Sequence, residues 1–195
     1  MKYVLLAAAF LLGACLLAYT RLCGCGKITE SGQSVSAGYV KADWPDAYKM
    51  VRDKFPDVRQ LKPSELADWL KDTSQPQRIL PLLLDARAEK EFAVSHLPNA
   101  KHAADETQAI AVLHAQPKDA PVVVYCSIGY RSSMLAQKLK ARSYTNVQNL
   151  EGSIFMWANE GRLLLRGAET VSVVHPFDEK WGRLLERTRW SFEAR

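Results

Sequence analysis

The sequence predicts an open α/β sheet, mainly parallel, with helices on both faces and an apolar segment ahead of it. Three observations carry this expectation. Short apolar runs alternate with segments of helical period between residue 43 and about residue 162, the order that builds a parallel sheet. The run Val122-Val123-Val124-Tyr125 is apolar at every position, as a strand covered on both faces must be. Residues 3–20 carry no charge, with Lys2 before them and Arg21 after them.

With 195 residues and 48% hydrophobic content, the chain can hold one ordinary domain and an appendage. The formal charge of +5 is unevenly placed: residues 1–42 hold four cations against Glu30, a net of +3, which leaves +2 for the rest. That is too little for a nucleic-acid footprint, so no nucleic-acid partner is expected. There is no internal repeat and no heptad array.

The uncharged N-terminal stretch would span roughly 27 Å as a helix, slightly short of the ~30 Å hydrocarbon core. Residues 1–25 therefore read as a signal peptide or a membrane anchor. Leu12-Gly13-Ala14-Cys15 resembles the lipobox of bacterial lipoproteins, in which Cys15 would be lipidated after cleavage. The apolar continuation Leu16-Leu17-Ala18-Tyr19 equally fits a spanning helix in which Cys15 is a small apolar residue. Either way the chain is expected to be membrane-associated through its N-terminus and to lie outside the cytoplasm of a bacterium. Cations flank both ends, so the positive-inside rule leaves the orientation open. Four cysteines are too few for a disulfide scaffold. Cys23 and Cys25 have no further ligands nearby and the four histidines are scattered, so no metal is expected and juxtamembrane acylation is the better reading. Residues 26–42, rich in Gly and Ser, form a flexible linker.

The folded region starts at Asp43, which caps a helix over residues 43–56. Pro45 lies just inside it, and Trp44, Tyr48, Val51 and Phe55 follow at helical spacing up to Pro56. Residues 58–61 are a short strand. Lys62-Pro63-Ser64-Glu65 opens a helix through Trp69 and Leu70. The apolar run of residues 79–84 ends at Asp85, and Pro81 sets the strand's start at or just after itself, since proline cannot donate to a ladder. Residues 89–94 read as a helix, 100–103 as a strand and 107–114 as a helix. The apolar run at 122–125 is the next strand, followed by a helix from about Arg131 to Ala141. Residues 147–150 form the last strand and 154–159 the last helix, ending at Gly161.

Chemistry concentrates after the apolar strand, in Cys126-Ser127-Ile128-Gly129-Tyr130-Arg131. The strand delivers Cys126 to its carboxyl end, where sites form in open α/β sheets. A helix N-terminus follows, with its unpaired N–H groups and positive dipole end, and Arg131 adds a cation. Such surroundings lower a thiol's pKa and hold an anion. Gly129 allows the tight turn. This combination reads as a nucleophilic cysteine on an anion cradle, set against the plainer alternative of a buried core cysteine.

Four ordered segments resemble the rhodanese domain: Leu84-Asp85-Ala86-Arg87-Ala88-Glu89-Lys90-Glu91-Phe92; His96-Leu97-Pro98-Asn99-Ala100; Val124 through Ser132; and Leu150-Glu151-Gly152-Ser153 with Trp157. The resemblance covers roughly residues 57–162 and implies a rhodanese-like domain over 43–162, with a C-terminal extension at 163–195. It implies a sulfurtransferase, thiosulfate sulfurtransferase-like, in which Cys126 takes sulfane sulfur as a persulfide. The loop residues Ser127, Ile128, Gly129, Tyr130 and Arg131 would cradle that sulfur, and Asp85 and Arg87 would support the site. The implied partners are a small sulfur donor such as thiosulfate, a thiol or cyanide acceptor, and an acceptor protein. No cofactor or metal is required by that chemistry.

Competing readings are a catalytically quiet interaction or sulfur-sensing module, and a cysteine phosphatase or arsenate reductase. The latter resemble Cys-x5-Arg, whereas Cys126 and Arg131 are spaced Cys-x4-Arg, which narrows the cradle toward one sulfur atom. Arg87 and Glu91 are spaced for a helix-surface ion pair, which makes Asp85 and Arg87 mainly structural. His96 reads as a hydrogen-bonding anchor, Phe155 and Trp157 as core, and Ser127, Ile128 and Tyr130 as residues used chiefly for their backbone, with the Tyr130 ring able to shape access to the sulfur. In the extension, residues 171–177 are expected to be extended and Trp181 to Arg187 to form a short amphipathic helix. That helix would pack back on the domain, or dock elsewhere through Trp181, Leu184, Leu185 and Trp190.

Overall fold

A computed structural model describes residues 43–71 and 79–194. The expected signal or anchor segment 1–25 with Cys15, and the linker 26–42, lie outside the described residues. Among the described residues no helix is long and apolar enough to cross a membrane.

The chain alternates helix and strand as its sequence predicts. In order come α1 (Trp44–Lys54), β1 (Arg59–Leu61), α2 (Pro63–Lys71), β2 (Leu82–Asp85), α3 (Glu89–Val94), β3 (Lys101–His102), α4 (Glu106–Leu113), β4 (Val122–Tyr125), α5 (Tyr130–Ala141), β5 (Val147–Leu150) and α6 (Ser153–Asn159). The Asp43 carboxylate accepts from Asp46 N–H at 2.9 Å and fixes the start of α1. β2 begins one residue after Pro81, where the ladder first needs an N–H.

Five strands form one parallel sheet in the order β1-β5-β4-β2-β3. The central strand β4 is flanked by β2, with Leu84 opposite Val124, and by β5, with Asn149 opposite Val124. Its side chains alternate between two cores. Val123 and Tyr125 join Leu61, Leu83, Leu150, Leu66 of α2, and Ile154 and Phe155 of α6. Val122, Val124 and Cys126 join Leu84, Val147, Leu113 of α4, Leu135 and Leu139 of α5, and Val51 and Phe55 of α1. Period-two geometry therefore turns Cys126 toward the α5 face at the carboxyl end of the sheet.

The extension departs from its expected form. β6 (Leu164–Arg166) and β7 (Glu169–Val171) make an antiparallel hairpin, turned at Gly167 with φ 56°. Residues beyond Val171 leave the strand. The helix expected from Trp181 to Arg187 is only the four-residue α7 (Glu179–Gly182), followed by a 3-10 turn at Arg187–Arg189. Leu184 and Leu185 are buried in the same core as Phe155 and Leu61, together with Leu164 and Val174. Of the four residues considered for docking, Leu184 and Leu185 are thus turned inward, because they remove more apolar area from water against the domain, whereas Trp181 and Trp190 stay partly exposed. A backbone bridge from His96 to Leu165 stitches the extension to the domain, and one from Val174 to Trp190 closes the extension on itself.

Arg87 is also placed differently from its expected surface pairing. It precedes α3 rather than lying within it, is fully buried, and pairs with Asp85 through Nη2 at 2.7 Å and Nε at 2.9 Å. It does not pair with Glu91. The Arg87 carbonyl takes a hydrogen bond from His102 Nε2 at 2.8 Å, and the Tyr125 hydroxyl accepts from Leu97 N–H at 3.1 Å. This polar knot joins the ends of β2, β3 and β4 beneath the site. Removing one partner of a buried pair strands the other's charge. Arg87→Ala should therefore cost about 3–5 kcal/mol in a denaturant titration; a loss below ~1 kcal/mol would mean that the pair is effectively solvated.

Candidate functional site

Cys126 lies at the first residue past β4 and is 1% exposed. The turn that follows needs Gly129 at φ 112°, a left-handed conformation, and a Cβ there would sit 3.1 Å from Asn149 Nδ2. Gly129 is also the N-cap of α5, and its N–H donates to Cys126 Sγ at 3.2 Å. The sulfur therefore rests on the amino end of a twelve-residue helix. Burial alone raises a thiol's pKa. Here the charge of Arg131, the Ser132 hydroxyl, and the N–H groups of Ser132 and Gly129 outweigh it, so the Cys126 thiol is held below its ordinary value.

The loop is gripped from below by α6. Cys126 N–H donates to Ser153 Oγ at 3.1 Å, and that hydroxyl donates onward to the Leu150 carbonyl at 3.0 Å. Ile154 N–H and Phe155 N–H donate to the Cys126 and Ser127 carbonyls, each at 3.2 Å. Ser153 takes φ 50° to make these contacts.

Arg131 is held across the loop by Glu91 of α3. Its two terminal nitrogens meet the two carboxylate oxygens at 2.7 and 2.8 Å, a bidentate pair. Ser127 closes the triangle, accepting from Arg131 Nη2 at 2.9 Å and donating to Glu91 Oε1 at 3.2 Å. The Ser127 side chain is thus used, and not its backbone alone. Burial would raise the Glu91 carboxyl, yet the hydrogen bonds and charge of Arg131 and the Ala88 N–H outweigh it and hold it below the usual carboxylate range.

A pocket of about 420 Å³ opens above Cys126. Ile128 and Tyr130 of the loop line it with Met50 of α1, and Phe177 and Trp181 of the extension complete the wall. Tyr130 packs edge-on against Phe55 at 5.2 Å, and Phe177 lies over the Arg131 guanidinium at 4.8 Å. Among the described residues no group of three or more His, Cys, Asp or Glu side chains is placed to hold a metal. Asp85 and Arg87 stand below this floor, joined to it through Tyr125 and the α3 segment, and neither lines the pocket. His96 stacks on Phe92 at 4.3 Å, with Nδ1 3.0 Å from the Leu97 carbonyl.

Residues 63–160 match the Rhodanese-like domain family. The chain belongs to that family. Relatives of the rhodanese-like domain include a sulfurtransferase of Allochromatium vinosum, 33% identical over 104 residues, covering 53% of this chain and 92% of the relative. A thiosulfate sulfurtransferase of Pseudomonas fluorescens is 29% identical over 76 residues, 39% of this chain and 69% of the relative. The crystal structure of a thiosulfate sulfurtransferase from Pseudomonas aeruginosa shares the fold, with a TM-score of 0.52 at 19% identity over 71% of this chain and 26% of that one.

Several residues of the site were not singled out from the sequence. The spacing of Glu91 points to Arg87, although its place in the first ordered segment is a signal of a site role. Ser132 and Ser153 lie in the third and fourth of the family-like segments, where their type and spacing assign them no role. Phe177 and Trp181 lie outside every segment that the rhodanese-like resemblance covers, so only packing brings them in.

Two outcomes follow from these charges. Arg131→Met should move the pH profile of Cys126 alkylation by iodoacetamide upward, followed on the Cys126 peptide by mass spectrometry; an unmoved profile would mean that Arg131 does not act on the thiol. A carboxyl with a lowered folded pKa stabilises the fold above its unfolded pKa, and loses that contribution as pH falls through the folded value. Glu91→Gln should therefore be less stable than the parent chain at about pH 7, with the gap closing toward about pH 3, by urea midpoints. A gap independent of pH would assign the loss to shape rather than charge.

Proposed function

We propose that this chain is a sulfurtransferase that moves sulfane sulfur from a donor such as thiosulfate to a thiophilic acceptor through a persulfide on Cys126. One observation carries the reading most: a thiol with a lowered pKa sits on a helix amino end at the floor of an open pocket. Family membership and sulfurtransferase relatives support it.

The chemistry needs two displacements. The Cys126 thiolate attacks the outer sulfur of thiosulfate, an S–S bond forms, and sulfite leaves with the electron pair of the broken bond. An acceptor thiolate or cyanide then attacks the terminal sulfur, and the Sγ–S bond breaks with its pair left on Sγ. Both states of the enzyme carry a sulfur anion over the same floor, so the N–H groups of the loop from Ser127 to Arg131 serve each in turn. Arg131, anchored by Glu91, favours the anionic forms. Asp85 and Arg87 hold the strand ends that carry the loop. Cys-x4-Arg spacing fits a single sulfur atom and weighs against a phosphatase. A cysteine kept at the site weighs against a catalytically quiet module.

The same proposal places residues 1–25 as the segment that associates the chain with a membrane, outside the cytoplasm, with 26–42 as tether. It rests on the uncharged stretch from Tyr3 to Thr20.

Intact-mass spectrometry of the purified chain after thiosulfate treatment should show one added sulfur atom, lost on cyanide addition and absent from Cys126→Ser. No adduct with thiosulfate or with mercaptopyruvate would overturn the sulfur-carrier reading.

A further inference from the structure

The outer wall of the Cys126 pocket comes from segments that the family match does not include. The match covers residues 63–160, whereas Met50 belongs to α1 and Phe177 and Trp181 follow β7. Phe177 is held there deliberately by its neighbours. It is 43% exposed, yet takes φ 67°, a strained conformation for a non-glycine residue. Its N–H donates to Nδ1 of buried His175 at 3.0 Å, and its ring covers Arg131. Burial pushes the His175 imidazole down, which keeps Nδ1 available as that acceptor. Trp181 is fixed by the start of α7, where its N–H donates to the Asp178 carboxylate at 2.8 Å.

The charge balance of the pocket points the same way. Arg131 is the one cation among the side chains lining it, and both its terminal nitrogens are committed to Glu91. A small inorganic dianion would meet the amides at the floor and no uncompensated charge on the walls. Met50, Ile128, Tyr130, Phe177 and Trp181 instead offer apolar and aromatic surface. A volume of about 420 Å³ lies in the range of pockets that enclose an organic molecule, roughly 300–1,000 Å³.

We infer that the sulfur acceptor at this site is a low-molecular-weight organic thiol with an apolar body of about aromatic-ring size, selected by Phe177 and Trp181. The inference rests on the sulfurtransferase reading above. In the step it describes, the acceptor thiolate bonds to the terminal sulfur of the Cys126 persulfide. The Sγ–S bond breaks with its electron pair remaining on Sγ, and the acceptor leaves as an organic persulfide anion, the thiol's proton having gone to solvent when the thiolate formed. No oxidant or reductant is consumed.

The full chain, loaded with sulfur by thiosulfate or mercaptopyruvate, is mixed with either phenylmethanethiol or 2-mercaptoethanol, thiols of similar acidity. Loss of persulfide is followed at limiting thiol. Phenylmethanethiol should react at least about tenfold faster, the scale on which a hydrophobic pocket discriminates. The ratio should fall toward one in Phe177→Ala and in Trp181→Ala, and Trp181→Phe should recover most of it. Equal rates in the parent chain, or a ratio unmoved by both alanine variants, would overturn the inference while leaving sulfur transfer intact. Failure of both donors to load Cys126 would overturn the parent reading, and this one with it.

Discussion

Glu91 is 1% exposed on a six-residue helix, and its carboxylate is nonetheless held in the ionised form, because Arg131 meets it with two parallel hydrogen bonds. A buried charge without such a partner would be strongly destabilising. The pair fastens the Cys126 loop to α3 on one side, as Ser153 and the first turn of α6 fasten it from below. It also directs the guanidinium: anchored at its outer end, Arg131 stays close enough to lower the thiol's pKa. Stability of the loop and reactivity of the sulfur therefore draw on the same contact.

The elements of the fold were legible because each carries a local physical cause. Uniformly apolar β4 had to be a central strand, Pro81 had to precede β2, and Asp43 had to cap α1. Cys126 and the loop to Arg131 were legible for the same reason, since strand end, glycine and helix start are adjacent in the chain. Pairings between distant residues were not. Spacing made Arg87 and Glu91 look like partners, but Arg87 turned inward to Asp85 and left Glu91 for a residue 40 positions away. The hairpin of β6 and β7 rests on Gly167, a weak local signal beside the apolar pattern that follows it.

The extension illustrates a further limit of periodicity. Leu184 and Leu185 look in the sequence like the face of an amphipathic helix, and they are buried, but from the turn just past the four-residue α7, laid into an existing core. Phe177 and Trp181 reach the pocket only because that packing carries them there. A pattern along the chain states which residues avoid water, not which surface receives them.

The grip of α6 on the loop has one more effect. A trans peptide carries its carbonyl and N–H on opposite edges. With the Cys126 and Ser127 carbonyls bound by Ile154 and Phe155, the amides of Ser127 and Ile128 are turned the other way. Flipping either plane would break a hydrogen bond in a dry interior, which makes the floor's electrical polarity permanent. A thiolate is an attractive ligand for soft metal ions, and a backbone free to rotate could supply carbonyl oxygens to complete their coordination. This one cannot. Those two fixed planes welcome negative charge on their N–H edges, and neither of their carbonyls is free to turn toward a wandering cation.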